Sequence, residues 1–172
     1  MRILKELGVD TSEYTLLVTG TVMEEDCDGL CWNYLIQEGG LKPEVAVLTE
    51  PTSLRVYRGQ RGRMEMEVVI DGVSSHGSAP ERGDNAVYKM ARVVGAIEAL
   101  NEELPDDGFL GKGTVVVSQF SSTSPSQCAV PDQARIYLDR RMTWGETEAT
   151  AVAQIEGCLG DIPGEVSIPT YE

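Results

Sequence analysis

The sequence predicts an α+β fold: a ferredoxin-like β-α-β-β-α-β unit over residues 59–172, preceded by a partial α/β segment over residues 1–58. Three observations carry this. Met64, Met66, Val68 and Ile70 alternate with Glu65, Glu67 and Val69, the period-two mark of a strand with one buried face. A helical stripe follows at Val87, Met90, Val94, Ile97, Leu100 and Leu104. Thr114–Phe120 and Ala134–Asp139 then read as the two strands of a hairpin, ahead of a second helix and a last strand.

Taken in order, Arg2–Leu7 reads as the last turns of a helix stopped by Gly8. Tyr14–Val22 is β-like, Asp28–Glu38 helix-like, and Val45–Leu48 a short apolar run of the kind buried on both faces of a sheet. A lone strand–helix–strand piece is too small to bury its own apolar faces, so residues 14–48 are expected to leave apolar surface uncovered. Beyond the break near Arg58, Val73–Gly83 is a Gly/Ser/Pro loop and Asp84 is placed to cap the first long helix. Asn85 and Pro80 shape that loop and helix start. Pro105–Gly113 is a turn-rich connection. Thr143 and Glu146 form a T-x-x-E capping-box pattern ahead of a helix through Val152, Ile155 and Leu159, ended by Gly160. Glu165–Thr170 closes the order as a strand whose Pro169 suits a sheet edge.

Composition narrows the function classes. The chain of 172 residues is 41% hydrophobic and carries 28 acids against 14 bases, a formal charge of −14. Such a surface repels a phosphate backbone, which argues against nucleic acid as a partner. No signal peptide, membrane span or lipidation motif is evident, which points to a cytoplasmic address and no membrane partner. Cys27, Cys31, Cys128 and Cys158 match no zinc-finger or ribbon spacing and read as buried free thiols. The single histidine is His76, in a loop rather than on an apolar face.

Glu24 and Glu25 form the sharpest local signal. They follow the β-like run and precede the helix-like one, at the tip of a strand. Neighbouring carboxylates repel, and either they are a solvated acidic helix start or one binds a metal while the other handles a proton. The cluster Arg58, Arg61 and Arg63 stands out in an acidic chain, as a hinge, a substrate-facing patch or a set of partners for local glutamates.

Five stretches in register extend these readings: Gly20-Thr-Val-Met-Glu-Glu-Asp-Cys-Asp-Gly29, Thr49-Glu-Pro-Thr-Ser53, Gly59-Gln-Arg-Gly62, Gly72-Val-Ser-Ser-His-Gly-Ser-Ala-Pro-Glu-Arg-Gly-Asp-Asn-Ala86, and Cys128-Ala-Val-Pro131 followed by Asp139-Arg-Arg141. In these the chain resembles the co-catalytic zinc aminoacylase/carboxypeptidase family, which includes acetylornithine deacetylase, succinyl-diaminopimelate desuccinylase and carboxypeptidase G. Within it, the chain is most similar to the hydrolase branch linked with selenium metabolism. The resemblance implies an α/β metal domain with an inserted ferredoxin-like lid, two zinc ions per active site, pairing of two copies through their lids, and hydrolysis of the amide bond of an N-acyl amino acid or small peptide.

The resemblance also implies roles. Glu24 matches the general base acting on a metal-bridging water, and Glu25 and Glu50 match metal ligands. His76 matches the lid histidine that polarises the scissile carbonyl, often in the partner subunit's site. Arg141 matches the arginine that grips the substrate carboxylate, although Arg140 beside it could do the same work. Such roles are chemically coherent: zinc lowers the pKa of bound water, a carboxylate takes the proton, imidazole meets the oxyanion, and guanidinium holds a planar carboxylate with two bonds. The family's upstream His-x-Asp pair, bridging aspartate and final histidine have no counterpart here, and Cys128 stands where many relatives have asparagine. Two carboxylates cannot hold a zinc pair, since a catalytic zinc generally takes three protein ligands. The chain is therefore expected to be an internal portion of such an enzyme, inactive alone, or else a non-catalytic dimerisation module.

Overall fold

The computed structural model describes residues 2–10, 12–22 and 29–169. The chain divides into two compact units, Met1–Glu50 and Pro51–Thr170. Among the described residues no helix is long and apolar enough to cross a membrane.

In the first unit α1 spans Arg2–Glu6 and is stopped as expected at Gly8, whose φ of 66° lies in the left-handed region that glycine tolerates. A second helix, α2, spans Leu30–Gln37, within the range the pattern marked. The two strands expected at Tyr14–Val22 and Val45–Leu48 do not form: both segments run without ladder partners. Their apolar side chains are uncovered, Val18 being 84% exposed and Val47 85%. A strand exists only through hydrogen bonds to a neighbour, and a β-like sequence cannot supply that neighbour itself.

The second unit carries the order β1 (Gly62–Asp71), α3 (Ala86–Glu103), β2 (Thr114–Thr123), β3 (Gln133–Met142), α4 (Glu148–Leu159) and β4 (Glu165–Ser167). Its sheet is ordered β2-β3-β1-β4, and every neighbouring pair is antiparallel. This is the expected β-α-β-β-α-β plan, with β3 inserted between β1 and β2. β4 lies at an edge, as Pro169 suggested, and β2 forms the other edge.

Alternation decides what each face of the sheet holds. On one face Met66, Val68, Ile70, Ala134, Ile136 and Leu138 are buried against Met90, Val93 and Ile97 of α3 and Ala151, Ile155 and Leu159 of α4. Each large side chain so buried contributes about 1.5–3 kcal/mol. Val93, one step from the expected Val94, is the more deeply buried of the two, because it completes the i, i+3, i+7 row with Met90 and Ile97. The opposite face carries charge.

Two caps differ from expectation. The side chain that caps α3 is Asn85, accepting from Tyr88 N at 3.1 Å, while Asp84 pairs its backbone with Val73 and its carboxylate with Lys89. The box that starts α4 is Thr147 with Thr150, each bonding the other's backbone N–H. Thr143 and Glu146 instead close a turn before it. Glu146 is drawn away to Arg140, a residue with no other carboxylate within reach among the described residues.

Candidate functional site

The loop between β1 and α3 carries His76. Gly72 N donates to Asp132 O at 2.7 Å, and Val73 and Asp84 exchange two backbone bonds of 2.8 Å. The far side of the loop is laced to the β2–β3 connection: Val130 N donates to Ser75 O at 2.8 Å and Gly77 N to Cys128 O at 2.6 Å. Glycine is required at Gly72, where a Cβ would stand 2.1 Å from Asp84 O. These bonds hold the His76 backbone in a bridge with Ala129 while leaving its ring exposed. At Nδ1 the ring accepts from Ser78 N at 3.2 Å and lies 2.7 Å from Ser78 Oγ. A neutral imidazole that accepts at Nδ1 carries its proton on Nε2, which then points outward as a donor.

Beside the loop, Asn85, Tyr88, Lys89, Arg92 and Cys128 contribute to an open groove of about 550 Å³. Cys128 is exposed, which corrects the expectation of a buried thiol there; Cys31 and Cys158 are half-buried, and Cys27 lies outside the described residues. Burial, with the Glu103 charge adding to it, pushes the Cys158 thiol up from its ordinary range.

Arg141 stands at the other end of the sheet. Its pairing partner on β1 is Arg63, whereas Gln133, at the His76 end of β3, pairs with Asp71. Eight residues of extended chain separate Gln133 from Arg141, roughly 25 Å at the rise of a strand. His76 and Arg141 of one chain are therefore not brought together. Arg141 Nε and Nη2 donate to the two oxygens of Asp139 at 2.7 and 2.8 Å, and its side chain remains 38% exposed.

The neighbouring Arg140 is not an alternative to it. Arg140 points to the helix face, where it is fully buried, ion-paired to Glu146 and bonded to Gln154, Thr114 O and Arg141 O. The parity of Ala134, Ile136 and Leu138, continued two residues, is the signal in the sequence that separates the two arginines. As for the arginine cluster, Arg63 pairs with Glu65 and Asp139, Arg61 donates to Lys112 O at 2.6 Å, and Arg58 lies over the Phe109 ring at 5.1 Å. Pairing for local acids is thus what Arg63 does.

On the same charged face Arg135 donates to Glu67 at 2.6 Å. Burial pushes the Glu67 carboxyl up, but hydrogen bonds from Tyr137 and Arg135 and the Arg135 charge outweigh it and leave it below the usual range. A carboxyl held lower in the folded than in the unfolded chain stabilises above its unfolded value, and that contribution is lost as the pH falls through the lowered one. Glu67→Gln is expected to be less stable than wild type near about pH 7, by less than about 1 kcal/mol because the pair is half-solvated. The two should converge as the pH falls below the lowered value, and urea midpoints across an acid series measure this.

Glu24 and Glu25 lie outside the described residues. Glu50 ends the first unit and is exposed. Among the described residues no group of three His, Cys, Asp or Glu side chains is disposed to hold a metal ion. Zinc in a catalytic site takes three protein ligands, and Glu50 alone does not fit that requirement.

An antiparallel four-stranded sheet, helices on one face, charge on the other and a long edge strand left open, is the plan of an α+β association domain. The description of a peptidase dimerisation domain, M20_dimer, matches residues 58–166, and the chain belongs to that family. It is 58% identical over 154 residues to the Escherichia coli (strain K12) uncharacterized protein YgeY, a match over 90% of this chain and 38% of that one. To acetylornithine deacetylase of Klebsiella pneumoniae (strain 342) it is 33% identical over 103 residues, 60% of this chain and 27% of that enzyme. The chain thus spans well under half the length of either relative. A solved structure described as an aminohydrolase, from methicillin-resistant Staphylococcus aureus, superposes with a TM-score of 0.53 at 22% identity over 63% of this chain and 29% of that one, a likeness of fold.

Proposed function

We propose that residues 59–172 are the lid and dimerisation domain of a metal-dependent hydrolase of amide bonds, that residues 1–58 are part of its metal domain, and that the chain alone pairs but does not hydrolyse. In this reading Glu24 is the general base, Glu25 and Glu50 are metal ligands, His76 donates to the oxyanion and Arg141 grips a substrate carboxylate. The substrate is an N-acyl amino acid or small peptide, the metal zinc, and the setting cytoplasmic.

One observation carries the pairing. His76 and Arg141 lie at opposite ends of one sheet, too far apart to serve one small substrate. The open edge β2 is ten residues long, against three for β4, and bears the exposed Val116 and Phe120. Two copies joined edge to edge across a two-fold axis run their β2 strands antiparallel. The Thr114 end of one copy then lies beside the Thr123 end of the other. That sets the Arg141 end of each copy near the His76 end of its partner, so a site completed by both copies needs the dimer. Protonated Nε2, oriented by Ser78, supports the oxyanion role. The alternative reading, a purely non-catalytic dimerisation module, is supported by the match of residues 58–166 to a peptidase dimerisation domain.

Light scattering gives the mass, and metal content after exposure to zinc is measured beside hydrolysis of a panel of N-acetyl amino acids. A dimer with neither stoichiometric metal nor turnover is expected. A monodisperse monomer at high concentration overturns the pairing. About two zinc ions per chain, with turnover that disappears in Glu24→Ala, overturns the incomplete site.

A further inference from the structure

We infer that Asp139 is a positioning residue that turns Arg141 into a preformed receptor for a carboxylate, with Arg63 holding Asp139 in place. The inference rests on the reading of Arg141 as the group that meets the substrate carboxylate, and names what makes it able to do so. A guanidinium has two edges that each offer a parallel pair of N–H bonds, one through Nε and Nη2 and one through Nη1 and Nη2. Asp139 occupies the first edge with both its oxygens, at 2.7 and 2.8 Å. The second edge is left open: Nη1 has no protein partner among the described residues, and the side chain is 38% exposed.

Arginine side chains on a surface sample many rotamers, and that freedom is lost when they bind. Here the bidentate contact with Asp139 restricts it in advance. Asp139 is two residues away on the same strand and the same face, so the contact spans one pleat and fixes the guanidinium plane relative to the sheet. Arg63, opposite Arg141 on β1, brings Nε to 3.8 Å from Asp139 Oδ2 and is itself paired with Glu65. Asp139 thus lies between two guanidinium groups, hydrogen-bonded to Arg141 and at ion-pair distance from Arg63, whose charge favours its staying in place when an anion arrives. A carboxylate meets an edge already aimed, and the same edge discriminates against a neutral amide, which can accept only one of the two bonds.

Asp139 also has an opposite possible effect, and the two predict opposite signs. As a mere counter-charge it competes with any incoming carboxylate, and its neutralisation tightens binding. As a positioning residue it orders the fork, and its neutralisation weakens binding.

The 172-residue chain, labelled at arginine nitrogen, is titrated by NMR with N-acetylalanine, with N-acetylalanine amide as the neutral control. The expected result is saturable movement of the Arg141 Nη resonances with the acid alone, the Nε–H resonance staying in place because Asp139 keeps it. Followed through the backbone amide resonances of residues 139–142, Arg141→Lys should abolish the saturable response, and Asp139→Asn should weaken it roughly tenfold. Loss in Arg141→Lys with unchanged or tighter binding in Asp139→Asn overturns the positioning role and leaves Arg141 as the contact. Saturable binding that survives Arg141→Lys, or no saturable binding in the wild type, overturns the reading of Arg141 and the inference with it. The Nε–H measurement needs no variant: displacement of that resonance on binding would show that the ligand evicts Asp139, and sinks the proposal even where Asp139→Asn fails to fold.

Discussion

Glu146→Ala is expected to lower the stability of the second unit by about 3–5 kcal/mol. Arg140 is fully buried, and Glu146, with a side chain only 13% exposed, is the one carboxylate paired with it among the described residues. Removing the acid leaves a guanidinium in the core facing Gln154 and two backbone carbonyls, none of which carries charge. Glu146 also accepts from Thr143 N at 2.5 Å and Thr143 Oγ1 at 2.9 Å, so the turn that launches α4 loses its closure at the same time. Replacing both partners by apolar residues, Arg140→Met with Glu146→Leu, should recover most of the loss, because it removes the stranded charge along with the pair. Urea unfolding measures this. A single Glu146→Ala variant within about 0.5 kcal/mol of wild type would mean that Arg140 is solvated.

Gly72→Ala should cost about 3 kcal/mol and displace the loop that carries His76. The added Cβ would stand 2.1 Å from Asp84 O and 2.9 Å from Ala86 N, both backbone atoms with no side chain to give way. Relief requires separating Val73 from Asp84, whose two mutual bonds close the loop, and shifting the first residue of α3. Stiffening of the unfolded chain by alanine returns only about 0.4–1 kcal/mol, so the clash wins. Urea unfolding gives the stability change, and the His76 ring resonances report the loop. An unchanged midpoint with unchanged His76 resonances would show that the approach of β1 to α3 is looser than described.

Much of the second unit could be read directly from its residues. The alternation at Met64–Ile70, the helical row through Met90 and Ile97, and the turn chemistry of 73–83 each reflect a local period or a local bond, and each led to the element observed. The capping expectations missed by one and four residues. Asp84 and Asn85 are equally good caps in isolation, and the choice fell to Asn85 because Asp84 is engaged with Val73 and Lys89. In the same way Thr143 and Glu146 have the spacing of a capping box, but the buried Arg140 takes the glutamate.

The site was legible in part. His76 in a glycine-rich loop and Arg141 near the end of a strand follow from the chain alone, whereas the pairing of Arg63 with nearby acids was one of three readings and was selected by the structure. Ser78 and Asp139, which orient these two side chains, were not singled out. Their signal is spacing, each lying two residues from the group it holds, but spacing without direction does not distinguish a contact from a neighbour.

Residue types and their periods thus set the order of elements, the buried face of β1 and the open, charged character of the other face. Which arginine is buried, which strands form the sheet edges, and how far His76 lies from Arg141 came from strand register and sheet order. Those depend on hydrogen bonds between segments tens of residues apart, where a shift of one residue exchanges the two faces. The first unit shows the same dependence from the other side. Tyr14–Val22 and Val45–Leu48 have the composition of strands, yet among the described residues neither gains a ladder partner, and their large apolar side chains are exposed.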